Sequence, residues 1–246
     1  MFTRSETPEV PMIHDPGVPP AGETPALFRR PMASGEPTMM RNPARLGLMT
    51  AAAILCLVPA PGASAADIDA LMAVCAGCHG KDGASIEPSV PINGGMSATY
   101  LADQLSAFKN KQRPCPVTEM KAGDTKGTKT DMCAMAGSLD DADIKQVAGY
   151  LAKQKFVRAS QPADAALAAK GRQIHQQNCE KCHSNNGSLA DDDSGILAGQ
   201  WTPYLKEQLA DFGSGARKVD PKMKPVVDRL NAADIDALLN FYAGMK

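Results

Sequence analysis

Two short motifs of cysteine and histidine constrain this chain more than any other feature of its sequence. Residues 75–79 read Cys-Ala-Gly-Cys-His, and residues 179–183 read Cys-Glu-Lys-Cys-His. This spacing places two thiols about one helical turn apart, so that each can form a thioether with a vinyl group of one haem. The adjacent imidazole can then bind the haem iron. The two motifs therefore predict two covalently bound haem c groups.

Paired cysteines also occur in zinc sites and in thiol redox proteins. A four-cysteine zinc site usually separates its two pairs by about 15–20 residues, but here the motifs begin 104 residues apart. A thioredoxin-like motif needs a βαβ context, which this sequence does not show. Haem attachment is therefore predicted for Cys75, Cys78, Cys179 and Cys182, and proximal iron ligation for His79 and His183.

The composition agrees with cores that are filled by a cofactor. Aromatic residues make up only 4% of the 246 residues, which is few for two small hydrophobic cores. A haem in each half would supply a large apolar group. The formal net charge of −1 gives no indication of a nucleic-acid partner.

The N-terminal residues predict export. Residues 1–38 are rich in proline and lack apolar periodicity, which favours a disordered leader. A basic segment, an apolar run over residues 46–58 and an Ala-x-Ala site follow in the order of a secretory signal peptide. We expect translation to begin at Met39 or Met40 and cleavage to remove residues 1–66, leaving a periplasmic protein without a stable membrane span. A long leader and an uncleaved anchor are the alternatives.

The two motifs lie within an internal repeat. An offset of 104 residues aligns Tyr100 with Tyr204, Leu101 with Leu205, Gln104 with Gln208, Leu105 with Leu209 and Phe108 with Phe212. Towards the end of each half the offset falls to 91, as for Leu139 and Leu230, so 13 additional residues lie in the first half. The repeat predicts an all-α fold of two tandem domains, residues 67–153 and 162–246, joined by a linker of residues 154–161.

The change of offset selects candidates for the second iron ligand. A methionine thioether paired with histidine is the ligand set of cytochromes c and raises the reduction potential. Met223 lies between the second motif and the last predicted helix, and subtracting 91 from its position gives Met132. We therefore predict Met132 and Met223 as distal ligands, with Met135 and Met120 as alternatives in the first half.

The remaining cysteines predict a disulfide. Removal of the leader eliminates Cys56, which leaves Cys115 and Cys133 as a pair in an exported protein. Cys115 lies among the additional residues, and Cys133 directly follows Met132. A bond between them would hold the methionine segment to the inserted loop. Two free thiols and a cysteine ligand to iron are the alternatives.

Several other residues receive structural interpretations. His175, on the helix before the second motif, is expected to be partly exposed, and Trp201 and Tyr204 are expected to pack in the core. The basic residues between 109 and 129, Arg113 among them, are expected in a solvated loop, with attraction of an acidic partner as the alternative. The acidic run of residues 191–193 is expected at a solvated surface.

Three segments of the second half carry a family resemblance. Residues 178–183, 196–205 and 240–243 read Asn-Cys-Glu-Lys-Cys-His, Ile-Leu-Ala-Gly-Gln-Trp-Thr-Pro-Tyr-Leu and Asn-Phe-Tyr-Ala. With the first motif and the two methionine segments, they resemble the dihaem cytochrome subunit of flavocytochrome c sulfide dehydrogenase, and more broadly the two-domain c4-type cytochromes. The resemblance implies two class I cytochrome c domains related by a pseudo-twofold axis, with histidine and methionine on each iron, and an FAD-containing flavoprotein partner that oxidises sulfide. The insertion that carries Cys115 departs from this pattern.

We therefore expect a periplasmic carrier of single electrons, part of an oxidoreductase complex rather than a catalyst by itself. Electrons would come from the flavoprotein sulfide dehydrogenase subunit and leave to a soluble cytochrome c or an oxidase. A free-standing c4-type carrier that serves a terminal oxidase is the first alternative, and a dihaem redox enzyme is the second.

Overall fold

The structure is a computed structural model, and it describes residues 67–245 as a mainly helical chain. The expected leader and signal peptide, residues 1–66, lie outside the described residues. Within residues 67–245 no helix is long and apolar enough to cross a membrane. The first repeat (residues 67–153) and the second repeat (residues 162–245) each fold as a set of helices, in agreement with the predicted fold class.

The first repeat begins with a helix that contains the first cysteine–histidine motif. Ser97 caps its second helix by accepting a hydrogen bond from the Tyr100 N–H, and Asp140 and Asp143 form a capping box on its last helix. In chain order the elements are α1 (Ile68–His79), a 3₁₀ turn (Lys81–Gly83), α2 (Ala98–Lys109), β1 (Thr118–Glu119), β2 (Lys129–Thr130), α3 (Met132–Gly137) and α4 (Asp141–Ala152).

The second repeat follows the same plan, but its motif lies after its first helix rather than within it. That helix ends at Asn178, one residue before the first cysteine of the motif. Asn231 and Asp234 form a capping box on the last helix. The elements are α5 (Ala165–Asn178), the kinked α6 (Ser184–Gly187), a 3₁₀ turn (Ala190–Asp192), α7 (Thr202–Ser214), α8 (Lys224–Val227) and α9 (Ala232–Ala243).

Helices α5 and α9 pack against each other with very close backbones. Gly171 makes this possible, because a Cβ at its position would collide with the Ala237 carbonyl group and the Phe241 side chain. The hydrophobic core of the second repeat is built beside this contact from Leu205, Leu238, Leu239, Phe241 and Tyr242.

The insertion in the first repeat forms a small hairpin, whereas the sequence suggested irregular chain. Strands β1 and β2 pair antiparallel, with Thr118 opposite Thr130. A disulfide joins Cys115 to Cys133, whose Cα atoms lie 5.7 Å apart. Each strand has only two residues, so no alternation of apolar and polar residues was available to predict it.

The hairpin lies over the first cysteine–histidine motif. The N–H groups of Lys121 and Ala122 donate to the Gly77 carbonyl at 2.7 and 3.2 Å. Met120, which is buried, packs so close to Gly77 that a Cβ there would collide with it. Within the described residues the second repeat has no strand pair, and its Cys182 is exposed.

The two repeats meet through buried polar contacts as well as apolar ones. Gln200 is fully buried, and its amide accepts from the Ile92 N–H at 2.9 Å and donates to the Ile92 carbonyl at 2.8 Å. Trp201 Nε1–H donates to the Ser85 carbonyl at 2.9 Å. Trp201 therefore lies at the contact between the repeats rather than in the second core, whereas Tyr204 does pack against that core.

Backbone and side-chain hydrogen bonds hold the linker against the second repeat. Ala159 N–H donates to the Gly199 carbonyl at 2.7 Å, and Gln161 donates to the Gln200 carbonyl at 2.7 Å. Gln161 also accepts from the Thr202 N–H at 3.0 Å. These bonds fix the linker next to the residues that contact the first repeat.

Candidate haem sites

Each motif histidine is oriented by a main-chain carbonyl group. His79 Nδ1 lies 3.0 Å from the Pro91 oxygen, and His183 Nδ1 lies 3.2 Å from the Gly195 oxygen. A carbonyl oxygen only accepts, so Nδ1 carries the proton and Nε2 keeps its lone pair. Burial lowers the pKa of both imidazoles below its usual value, against the smaller opposite effect of these hydrogen bonds. Both histidines are therefore held neutral, which is the form that binds a metal.

Each motif lines a cavity. The two cavities have volumes of about 290 and 710 Å³, of the order of cofactor pockets, which span roughly 300–1,000 Å³. The first is lined by Cys75, Cys78, His79, Met96, Met120, Met132 and Met135. The second is lined by Cys179, Cys182, His183, Met223 and, from the first repeat, Met96.

The predicted distal ligands lie on short helices beside these cavities. Met132 is the first residue of α3, which Asp131 caps by accepting from the Ala134 N–H at 2.9 Å. Met223 directly precedes α8. Met135 and Met120 line the first cavity together with Met132, so the cavity alone does not identify which of the three methionines is the distal ligand.

The motif thiols differ in environment. Burial raises the pKa of Cys75 and of Cys179, and at Cys179 a hydrogen bond from Tyr242 opposes the rise. Burial also raises the pKa of Cys78, and the Lys121 ammonium on the hairpin opposes it. In the second motif Cys179 is partly buried, whereas Cys182 is exposed.

Two arginines and two glutamines join the repeats between the cavities. Arg113 donates to Gln104 Oε1 at 2.6 Å and to Gln208 Oε1 at 2.7 Å. Arg217 donates to the same two oxygens, each at 2.6 Å. The arginines, like the glutamines, are separated by 104 residues, so each repeat supplies one of each and the repeat continues past Phe108 to Arg113.

The expectation of a solvated loop around Arg113 is wrong for this residue. Arg113 and Arg217 are only 7% and 8% exposed. The guanidinium of Arg113 lies 4.0 Å from the ring centre of Phe108, and that of Arg217 lies 4.4 Å from the ring centre of Phe212. Stacking on these rings and bonding to the glutamines removes both side chains from solvent.

The arginine–glutamine cluster fits an anionic cofactor. The glutamine oxygens that accept from both arginines belong to neutral amides, and Arg113 Nε is buried without a hydrogen-bond partner among the described residues. Buried cations are costly unless an anion compensates them. Gln104, Arg113 and Gln208 line both cavities, and Arg217 lines the second. The carboxylate groups of a haem would meet this requirement.

His175 was expected to be partly exposed, and this expectation is wrong. The residue is fully buried, with Nε2 at 2.6 Å from Glu180 Oε2 and Nδ1 at 2.9 Å from the Tyr242 hydroxyl oxygen. Glu180 belongs to the motif and Tyr242 to α9, so neither partner lies on α5, and the sequence of α5 alone does not predict the burial of His175.

The offset of 104 aligned Gln104 with Gln208, and the same offset from Arg113 leads to Arg217. No feature of the sequence predicted the burial of His175 or of Gln200.

Comparisons with known proteins agree with two cytochrome domains. Residues 65–155 match the family model "Cytochrome c", and residues 166–241 match "Cytochrome C oxidase, cbb3-type, subunit III". Cytochrome c4 of Stutzerimonas stutzeri is 33% identical over 71% of this chain and 85% of its own length. The chain belongs to the cytochrome c4 family.

Solved structures agree with this assignment. The crystal structure of reduced recombinant cytochrome c4 from Pseudomonas stutzeri is 32% identical, with a TM-score of 0.59, over 73% of this chain and 99% of that chain.

A second relative found by sequence is the thiosulfate dehydrogenase electron acceptor of Stutzerimonas stutzeri, 27% identical over 70% of this chain and 78% of its own length. As a member of the dihaem cytochrome c4 family, the chain carries two covalently bound haem c groups and functions in electron transfer.

Proposed function

We propose that each haem is bound by the residues of its own repeat. In the first repeat Cys75 and Cys78 form the thioethers, with His79 as the proximal ligand and Met132 as the distal ligand. In the second repeat Cys179, Cys182, His183 and Met223 have the same roles. The observation that carries this proposal is that a neutral, oriented histidine, two thiols and a methionine line each of two cavities.

The protein residues orient, neutralise and shield the cofactor. When bound, haem supplies an iron that alternates between ferric and ferrous states. The carbonyl groups of Pro91 and Gly195 keep the histidine protons on Nδ1. Arg113 and Arg217 supply buried positive charge for the carboxylates, and stacking on phenylalanine keeps them in place. The disulfide-linked hairpin covers the first motif.

The domain limits and the location are part of the same proposal. Residues 67–153 and 162–246 form the two domains, with residues 154–161 as the linker, in which no helix is formed. The periplasmic location rests on the signal-peptide pattern that ends near residue 66. The disulfide between Cys115 and Cys133 agrees with an oxidising compartment.

We further propose that the electron donor is an FAD-containing sulfide dehydrogenase subunit and the acceptor is a soluble cytochrome c or an oxidase. The resemblance of residues 178–183 and 196–205 to the cytochrome subunit of that complex supports the donor. A free-standing carrier is the second candidate, and the similarity to cytochrome c4 over most of both chains favours it.

A pull-down of the tagged protein from the periplasmic fraction separates the two candidates. The purified material is examined by haem and flavin absorption, and the flavin is released with acid for identification. Recovery of FAD in a fixed ratio to haem supports the flavoprotein partner. Recovery of a dihaem protein without flavin rejects that partner and leaves the free-standing carrier. A protein without two haems would reject the electron-transfer sites themselves.

A further inference from the structure

The carbonyl group that orients His79 belongs to a peptide unit with a second hydrogen bond on its other side. His79 Nδ1 lies 3.0 Å from the oxygen of Pro91. The N–H of the same peptide unit is that of Ile92, and it donates to Gln200 Oε1 at 2.9 Å. Gln200 lies in the second repeat. Two hydrogen bonds and one peptide unit therefore connect the motif histidine of the first repeat with a side chain of the second.

Gln200 binds Ile92 through both ends of its amide group. Its Oε1 accepts from the Ile92 N–H, and its Nε2 donates to the Ile92 carbonyl at 2.8 Å. The side chain of Gln200 is fully buried and Ile92 is only 1% exposed, so water does not compete for these bonds. The pair fixes both peptide units that flank Ile92, and one of them carries the carbonyl group that orients His79.

Gln200 is itself held by its surroundings. The Trp201 N–H donates to Gln200 Oε1 at 3.1 Å. Gln161 of the linker donates to the main-chain carbonyl of Gln200 at 2.7 Å, and the preceding Gly199 N–H donates to the Tyr242 carbonyl of α9 at 2.8 Å. The amide therefore reaches the first repeat from a backbone that the linker and α9 hold in place.

The loops that carry the two orienting carbonyl groups share the same local hydrogen bonds. In the first repeat the Gly83 carbonyl accepts from the N–H groups of residues 93–94, at 3.0 and 3.3 Å. At the positions 104 residues later, the Gly187 carbonyl accepts from the N–H groups of residues 197–198, at 2.9 and 3.1 Å. These local bonds do not distinguish the environments of the two motif histidines.

Residue 200 and its counterpart do distinguish them. Subtracting 104 from 200 leads to Met96. A thioether has no N–H to donate and is only a weak acceptor, so Met96 cannot form the pair of bonds that Gln200 forms with Ile92. Support through such a pair of bonds from the opposite repeat is therefore specific to His79.

We propose that Gln200 is a positioning residue for the haem site of the opposite repeat, because it holds the Pro91–Ile92 peptide unit and thereby fixes the ring and the Nδ1 proton of His79. Hydrogen bonds in a chain polarise one another, so the bond from Ile92 to Gln200 also strengthens the Pro91 carbonyl as an acceptor. A histidine whose Nδ1–H is held by an acceptor presents Nε2 to a metal in one orientation. The first site then depends on the contact between the repeats as well as on its own loop.

This inference rests on the proposed haem sites, and NMR spectroscopy of the reduced full-length holoprotein with ¹⁵N-labelled histidine tests it. The exchange of the Nδ1 proton with solvent is measured for His79 and His183 in the same sample. Gln200→Met introduces the residue of the first repeat at a similar volume. We expect the His79 proton to exchange roughly tenfold faster, since two buried hydrogen bonds are lost and local opening becomes easier.

The His183 proton is the internal control. Its acceptor, Gly195, lies in the same loop as Gln200, whereas Ile92 is 108 residues away in the chain. A merely local role of Gln200 would therefore act first on His183. Under the proposal the His183 proton keeps its exchange rate in Gln200→Met.

Two further variants separate the hydrogen bonds from general damage to the contact. Gln200→Glu, when protonated, offers an oxygen to the Ile92 N–H and an O–H to the Ile92 carbonyl, as the amide does. At each pH its His79 exchange rate is compared with that of the unaltered protein. The two rates should agree at acid pH and separate as the carboxyl ionises. Trp201→Phe removes the neighbouring bond to the Ser85 carbonyl and should leave the His79 rate unchanged.

The proposal is overturned if Gln200→Met folds with two haems and the His79 proton keeps its rate, or if the His183 proton accelerates more than the His79 proton. If Gln200→Met does not fold, Gln200→Glu decides, and rates that agree at every pH overturn the proposal. These outcomes leave both haems bound and hence the proposed function. An unaltered protein without two histidine-bound haems would instead reject the proposed function.

Discussion

Arg113 donates a hydrogen bond to Gln208 across the contact between the two repeats, at 2.7 Å. The corresponding residues of the other repeat form the same bond, from Arg217 to Gln104, at 2.6 Å. Each glutamine oxygen thus accepts from two guanidinium groups, one from its own repeat and one from the other. The packing of the two domains is therefore coupled to the side chains that line the haem cavities.

The first prediction concerns this bond. Hydrogen bonds to charged groups contribute about 1.5–3 kcal/mol, so Arg113→Met should lower the free energy of unfolding by that amount or more. In a double-mutant cycle with Gln208→Leu the two effects should be less than additive, because both remove the same bond. Chemical denaturation of the holoprotein measures each value. The exposed pair Lys109–Asp141 serves as a control, since Lys109→Ala should cost less than about 1 kcal/mol. Strict additivity would show that the bond contributes nothing.

The second prediction concerns the distal ligands. Met132→Ala should remove about half of the long-wavelength sulfur-to-iron charge-transfer band of the oxidised protein, since one of two thioether ligands is lost. Met223→Ala should remove the other half. Met135→Ala and Met120→Ala should keep the full band. If the band survives in Met132→Ala and falls in either control, the ligand assignment in the first repeat is wrong.

The third prediction concerns the inserted hairpin. Replacing Cys115 and Cys133 by alanine together should destabilise the holoprotein by roughly 3 kcal/mol, because the bond closes a loop across 18 residues. Thermal and denaturant unfolding measure the loss, and amide exchange at Lys121 should accelerate because its bond to Gly77 is released more often. Unchanged exchange at Lys121 would show that the strands hold the hairpin without the disulfide.

The fourth prediction compares two helical glycines. Gly171→Ala should destabilise the protein by about 1–3 kcal/mol, since the added methyl group meets the backbone of α9 and the helices must separate. Gly149→Ala on α4 meets no atom within 4 Å and should stabilise by about 0.5–1 kcal/mol. Equal effects of the two substitutions would contradict the close packing of α5 and α9.

The fifth prediction concerns alkaline pH. Burial raises the pKa of Tyr242 well above its usual value and also raises that of Tyr100. In the unfolded chain these phenols ionise near pH 10. A raised native pKa gives stability that is complete below about pH 10 and is lost as the pH rises towards the native value. Unfolding free energies measured between neutral and strongly alkaline pH should show this fall, and Tyr242→Phe should reduce its slope. An unchanged slope would mean that Tyr242 does not contribute.

Much of the fold could be predicted because the chain is duplicated. The offset of 104 aligned the two segments that fold as α2 and α7, which carry Tyr100 and Tyr204. The fall of the offset from 104 to 91 located the 13 additional residues of the first repeat, among them Cys115. These signals are local or periodic, which is why sequence reasoning reaches them.

The missed features depend on contacts between distant residues. His175 is a polar residue of α5, and the approach of Phe241 and Tyr242 from α9 buries it. Arg113 lies in a basic stretch, and its burial depends on Gln208, 95 residues away. The hairpin was missed because its strands are held by a disulfide and by Gly77, not by their own pattern. The choice among Met132, Met135 and Met120 stays a prediction from the offset of 91.

The symmetric cluster of Arg113, Arg217, Gln104 and Gln208 has a consequence for the origin of the protein. Each repeat presents the same two side chains to the other, so the contact is self-complementary, as in an isologous interface of a homodimer. A single ancestral domain with this face would have paired with its own copy. Joining two such copies by a short linker would keep the two domains together at any protein concentration. It would also allow one copy to acquire a hairpin and the other a buried histidine.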